Sequence, residues 1–185
     1  MGYPNVRIFW DSKIESLAYA MEGAGPHMSE YKVIFLDFDN TICLHRHPVD
    51  YASPVALFED SLQASRKLFS SSVINWELVD VLCNLRENND VIIGMLSSSG
   101  SIQLEIKKVW LKTAVPRLKL DFVYGVSVDC TKKQFILSFQ KYHSIQPSEC
   151  ILIDDDPGTV NDLYRSGVCD TCIPEMFIME YSKSL

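Results

Sequence analysis

The sequence predicts a three-layer α/β/α domain built on a parallel sheet, and three observations predict it. Short continuous apolar runs, the mark of strands covered on both faces, recur at residues 32–36, 91–96, 120–124 and 150–153. Segments with helical spacing of apolar residues lie between them. The chain of 185 residues, 47% hydrophobic and 22% charged, has the length and balance of one ordinary globular domain. Strands and helices in alternation form a parallel sheet with helices on both faces, and such sheets bind ligands at the carboxyl ends of their strands.

In chain order, residues 1–30 stand outside the alternation as an extension. Ile14, Leu17, Ala18 and Met21 give 12–22 a weak helical pattern, which breaks at Gly23-Ala-Gly-Pro26. Gly25-Pro-His-Met28 also has the form of a cloning junction, so whether residues 1–27 are native is open. The domain proper is expected over 31–185, beginning with the strand at 32–36. Residues 42–74, with Pro48, Pro54, the run Ser70-Ser-Ser72 and one short helix over 56–69, form a small insertion beside that strand's carboxyl end.

The regular helices follow. Leu78, Val79, Val81, Leu82 and Leu85 mark the first, and Ile102, Ile106, Val109 and Trp110 the second. Phe135, Ile136, Phe139 and Tyr142 mark the third, and Val160, Leu163 and Tyr164 the last. Trp76 and Trp110 lie on helical faces and are expected in the core, whereas His27 and His143 are expected at the surface.

Composition excludes several classes. A formal charge of −7 argues against stable nucleic-acid binding, which draws on Lys and Arg to neutralise phosphates. No apolar stretch approaches the roughly 20 residues that span a bilayer, and the start lacks the basic and apolar runs of a signal peptide, so a cytoplasmic protein is expected. The six cysteines lie in apolar or strand-like surroundings and read mostly as small core hydrophobes. Cys169 and Cys172 form a lone C-x-x-C without the second ligand pair that a structural zinc site needs.

The chemistry collects where strands end. The first strand runs into Asp37-Phe-Asp39-Asn-Thr41, two carboxylates at a point where the chain leaves the pleat. The second ends at Ser97-Ser98-Ser99-Gly100, where hydroxyls and the free N–H groups of a helix start can hold a phosphate. Thr131-Lys132-Lys133 opens the next helix and offers a point charge at the same rim. The last strand ends in Asp154-Asp155-Asp156, whose mutual repulsion a divalent cation would relieve. These parts suit phosphoryl transfer, in which a carboxylate attacks phosphorus, a second carboxyl group protonates the leaving oxygen, and metal and lysine neutralise charge.

At these residues the sequence resembles the haloacid dehalogenase (HAD) superfamily. An apolar strand followed by D-x-D-x-T is matched by Val33-Ile-Phe-Leu-Asp37-Phe-Asp39-Asn-Thr41, and a strand ending in Ser or Thr by the run up to Ser97. A lysine opening a helix is matched by Lys132, and an acidic pair after a strand by Asp154-Asp155, all four in the family's order. The resemblance covers roughly residues 32–174 and implies a Rossmann-like domain. It implies a Mg²⁺-dependent phosphomonoester hydrolase with Asp37 as nucleophile and metal ligand. Asp39 would be the general acid and base, also giving its backbone carbonyl to the metal. Ser97, with Ser98 beside it, and Lys132 would hold the phosphoryl group, and Asp155, with Asp154 close by, would complete the metal site. Lys133 is the alternative to Lys132, which fits better with Phe135, Ile136 and Phe139. Asn40 replaces the glycine of many relatives, and Asn also accepts turn conformations.

The slots where relatives carry large caps are short here, so no large cap is expected, and whether 42–74 serves as a lid is open. Capless relatives act on bulky substrates or close their site with a second subunit, which leaves a phosphorylated substrate of unknown size and a homodimer both open. His45-Arg46-His47-Pro48 follows the nucleophile loop closely enough to touch substrate. The rival readings are a phosphotransferase of the same family, a phosphate-accepting receiver domain and an inactive phosphate-binding module. A receiver needs an aspartate closing a middle strand, and residues 91–96 end without one.

Overall fold

Four apolar residues, Val33–Leu36, make the central strand β1, and all four are buried. Their side chains alternate, as a pleat requires. Ile34 and Leu36 enter one apolar core, and Val33 and Phe35 enter the other, so the sheet is covered on both faces. The structure, a computed structural model, describes residues 31–51, 60–127 and 129–184. The extension over 1–30, with its weak helical pattern, lies outside the described residues.

After β1 come the short strand β2 (Cys43–Leu44), helix α1 (Ser61–Leu68), β3 (Val73–Ile74) and α2 (Trp76–Asn88). The regular alternation continues through β4 (Ile92–Ser98), α3 (Ser101–Ala114), β5 (Phe122–Val126), α4 (Lys132–His143), β6 (Cys150–Ile153) and α5 (Pro157–Arg165). It closes with β7 (Asp170–Cys172) and α6 (Pro174–Ser184). The main sheet has five parallel strands in the order β5-β4-β1-β6-β7. In register, Val33 stands beside Ile92 on one side and Cys150 on the other. The chain winds outward from β1 through β4 to β5, then returns to lay β6 against the opposite edge of β1. That reversal opens a crevice beyond the strands' carboxyl ends, the place where open α/β sheets bind ligands.

The two faces are filled differently. On one, α2, α3 and α6 cover Ile34, Leu36, Ile93 and Met95 through Leu78, Leu82, Ile106 and Phe177. On the other, α4 and α5 contribute Ile136 and Leu163, and Phe35 meets Phe139 edge-on with ring centroids 5.4 Å apart. Gly94 of β4 faces this side because Phe122 of the paired strand lies over it, leaving no room for a side chain.

Several expected boundaries move. The strand expected at 91–96 runs on through Ser98, and that expected at 120–124 begins at Phe122. Asp121 delays it: its carboxylate accepts the Ile93 N–H at 2.8 Å and two Arg86 N–H groups at 2.7 and 2.9 Å. As the edge strand, β5 is not covered on both faces, and Tyr124 is 42% exposed. The helix expected over 56–69 opens at Ser61, where Asp60 caps the N–H groups of Leu62 and Gln63; residues 52–59 lie outside the description. Trp76 is exposed rather than in the core, with the Arg117 guanidinium 4.9 Å above its ring, while Trp110 is buried against Phe38 and Phe69. Tyr142 and Tyr164 also face outward.

Within the 42–74 insertion, β2 and β3 pair antiparallel as a small separate sheet. Asn75 anchors it by donating from Nδ2 to the Thr41 carbonyl at 3.1 Å, and Phe69 packs on Phe38 and Trp110. The insertion thus lies against the loop that follows β1. Cys43, Cys150, Cys169 and Cys172 are buried free thiols, and Cys83 and Cys130 are half-buried. No helix among the described residues is long and apolar enough to cross a membrane.

Candidate active site

Asp37 is the first residue past β1, and its N–H continues the ladder by donating to the Ile153 carbonyl at 2.9 Å. Because β6 lies beside β1 in matching register, Asp154 emerges next to it. Ligand oxygens of Asp37, Asp154 and Asp155 lie within 4.8 Å of one another. Three carboxylate oxygens at this spacing make a hard donor set of the kind Mg²⁺ takes, so the residues present fit a divalent cation. Asp37 and Asp154 are buried and Asp155 half-buried.

Helix α4 brings the counter-charge. Thr131 caps it, accepting the Gln134 N–H while the Gln134 side chain accepts the Thr131 N–H. Lys132 therefore starts the first turn facing the strands, with Nζ 2.5 Å from Asp37 Oδ1 and 2.6 Å from Asp154 Oδ2. Lys133, the next residue round the helix, faces Asp162 at 3.9 Å on the surface. The geometry separates the two lysines that the sequence left as alternatives. Asp156 stands apart from the cluster, capping α5 by accepting from the Gly158 and Thr159 N–H groups.

Electrostatics follows from crowding. Burial pushes the Asp37 carboxyl up, Lys132 pulls it down and the neighbouring Asp154 charge raises it again, leaving it at about 7. Burial, then the Asp154 charge, raises Asp155 to about 6. Burial opposes the Lys132 charge, but Asp37 and Asp154 outweigh it and raise its value. A cation among the three carboxylates would remove the penalty that keeps Asp37 and Asp155 high.

Asp39 faces a different group of partners. Its Oδ2 accepts from Lys107 Nζ at 2.5 Å, and its Oδ1 lies 2.7 Å from His45 Nε2 and accepts the Tyr51 hydroxyl. Burial acts to raise its pKa, but the His45 hydrogen bond and then the Lys107 charge prevail and lower it to about 2. Lys107 Nζ also donates to Ser97 Oγ and Ser99 Oγ, each at 2.8 Å. Ser97 is buried at the end of β4, whereas Ser98, one pleat position on, is exposed and lines a cleft of about 840 Å³ with Ser127, Thr131, Lys132 and Thr159. Of the His45–Arg46–His47 stretch, His45 reaches Asp39 while Arg46 and His47 are exposed. Asn40 has φ 54°, in the left-handed region that Asn tolerates, and its side chain lies against Asp155. The Thr41 hydroxyl is buried without a hydrogen-bond partner.

Lys107 and Tyr51 were not anticipated. Lys107 lies on the buried arc of α3 with Ile106, Trp110 and Leu111, a signal that a helical projection carries. Tyr51 comes from an irregular stretch with no period to read.

No protein-family model matches the chain, and no curated protein matches it. Solved structures do. A HAD family enzyme from Bacteroides thetaiotaomicron, in complex with magnesium and inorganic phosphate, superposes with a TM-score of 0.53 at 13% identity, over 77% of this chain and 93% of that one. The 3-deoxy-D-manno-octulosonate 8-phosphate phosphatase of Moraxella catarrhalis, with magnesium, phosphate and KDO, gives 0.51 at 12% identity over 84% and 88%. The HAD domain of effector protein Lem4 from Legionella pneumophila gives 0.52 at 19% identity over 83% and 92%. The chain has the HAD-like fold, a three-layer Rossmann-like α/β/α arrangement, and the described residues include no large cap.

Proposed function

We propose that the protein is a Mg²⁺-dependent phosphomonoester hydrolase that works through an aspartyl-phosphate at Asp37. The observation that carries this reading is the convergence of Asp37, Asp154 and Asp155 with the Lys132 ammonium between two of them. On the same fold, two structural neighbours hold magnesium together with phosphate.

An Asp37 carboxylate oxygen attacks phosphorus, the bond from phosphorus to the ester oxygen breaks, and the leaving alkoxide takes a proton from Asp39. Water then attacks the aspartyl-phosphate and gives its proton to Asp39, releasing inorganic phosphate and regenerating Asp37. Lys132 neutralises charge on the phosphoryl oxygens, and the Ser97–Ser98 strand end supplies hydroxyls to them. Bound among Asp37, Asp154 and Asp155, with the Asp39 carbonyl, Mg²⁺ would supply Lewis-acid stabilisation of the phosphoryl charge. The ionised Asp39 described above is ready for the second step, as base. For the first it must carry a proton.

The test is a screen of phosphorylated metabolites, nucleotides and phosphopeptides with Mg²⁺, run beside Asp37→Asn. The expected result is Mg²⁺-dependent release of phosphate that the substitution abolishes while circular dichroism stays unchanged. Equal turnover by both proteins would remove Asp37 from the mechanism.

A further inference from the structure

We infer that Lys107 is a positioning residue, one that fixes the Asp39 carboxylate and the Ser97 hydroxyl relative to each other for proton transfer at the leaving oxygen; the assignment rests on the phosphatase reading above. Lysine is almost never fully buried unless paired, and the Lys107 side chain is 1% exposed. All three of its N–H groups have acceptors: Asp39 Oδ2 at 2.5 Å, Ser97 Oγ at 2.8 Å and Ser99 Oγ at 2.8 Å. Its position is walled by the rings of Phe38 and Tyr51, with centroids 5.1 and 4.8 Å from Nζ.

A structural role alone accounts poorly for this arrangement. The residue shares its helical arc with Ile106, Trp110 and Leu111, where Leu or Met would pack without bringing a charge indoors, and buried ion pairs are a weak source of stability. What the ammonium provides is a link between two strand ends, the loop after β1 and the end of β4, that have no other side-chain bridge among the described hydrogen bonds. Both oxygens of Asp39 are then fixed from three directions: Lys107 of α3 on one, and His45 and Tyr51 of the 42–74 insertion on the other. The insertion therefore acts as a side wall to this carboxylate. Lys107 donates to neither Asp37 nor Asp154; those contacts belong to Lys132.

A positioning role for the proton-transfer group has a signature that a packing role lacks: dependence on the leaving group. Wild type, Lys107→Met, Lys107→Arg, Tyr51→Phe and Asp37→Asn are compared with Mg²⁺ on an alkyl phosphate, whose alkoxide needs a proton to leave, and on dinitrophenyl phosphate, whose phenolate does not. Lys107→Met is expected to lower kcat on the alkyl ester by about 100-fold or more, the scale of general acid catalysis, with KM little changed. On the dinitrophenyl ester the loss in kcat/KM, which reports only the steps through departure of the phenolate, should stay below about tenfold. Lys107→Arg should recover part of the loss, and Tyr51→Phe should show the same selectivity at smaller size. Equal losses in kcat/KM on both esters, or a change confined to KM, overturn the assignment and leave the phosphatase reading intact. Turnover that survives Asp37→Asn overturns both. Should Lys107→Met fail to fold, Tyr51→Phe decides alone: a loss confined to the alkyl ester supports the assignment, and an even loss or none overturns it.

Discussion

Lys132 Nζ stands 2.5 Å from Asp37 Oδ1 although the two residues are 95 positions apart, and the same nitrogen reaches Asp154 Oδ2 at 2.6 Å. One buried ammonium thus bridges two buried carboxylates. Removing one partner from such a group leaves charge without compensation, at a cost on the order of 3–5 kcal/mol when the remaining groups stay ionised. Lys132→Met should therefore lower the melting temperature in EDTA and abolish turnover, and Mg²⁺ should restore part of the stability but not the activity. Differential scanning calorimetry with and without Mg²⁺ measures both shifts; equal melting of variant and wild type in EDTA would contradict the pairing.

Asp155 completes the acidic cluster, and its value near 6, set first by burial and then by Asp154, marks a carboxylate in want of a cation. A ligand at 100-fold excess over its Kd stabilises the folded state by about 2.7 kcal/mol, which for a chain of this length raises Tm by about 5–10 °C. Mg²⁺ should give such a rise in wild type, and Asp155→Asn should remove most of it. The readout needs no substrate. A rise that persists in Asp155→Asn would place the ion elsewhere.

The strand-end residues were legible because the alternation of apolar runs and helical stretches fixes which positions reach one rim. Asp37, Ser97, Lys132 and Asp154 each close a strand or open a helix there. Lys107 sits mid-helix, where Lys107-Lys108 reads as a solvated face, and only its placement three residues before Trp110 and four before Leu111 puts it in the apolar stripe. The terminal pair β7 and α6 escaped for another reason. Three residues, Asp170–Cys172, are too few to show a strand period. Trp76 was misplaced because helical spacing predicts a face, and the first residue of a helix packs against fewer neighbours than one at its middle.

Asp121 ties the start of β5 to α2, and its pH behaviour follows from its partners. Burial acts to raise its pKa, but the Arg86 hydrogen bonds and the Ile93 N–H outweigh that and hold it below the ordinary carboxylate value. A depressed folded value means stability that is fully present above the unfolded pKa of about 3.9 and lost as pH falls through the lower folded value. Wild type should thus show a steeper fall in Tm with acidification below about pH 4 than Asp121→Asn, which should already be less stable at neutral pH. Parallel Tm curves for the two proteins would remove Asp121 from the acid response.

Gly94 and Phe122 make the sharpest packing prediction. A Cβ at Gly94 would lie 2.0 Å from the Phe122 ring, far inside contact distance, and that ring is itself packed against Phe35 with centroids 6.0 Å apart. With space, replacing a strand glycine by alanine stabilises by roughly 0.4–1 kcal/mol, since the unfolded chain loses freedom. Without space, overpacking costs about 1–3 kcal/mol. Gly94→Ala should therefore destabilise the wild type on urea denaturation but be neutral or stabilising in a Phe122→Ala background, because the smaller residue vacates the site. The coupling between the two substitutions should reach about 1 kcal/mol or more, as for residues in direct contact. Equal effects of Gly94→Ala in both backgrounds would mean that the ring does not lie over the glycine, and that the aromatic face of the sheet is packed differently.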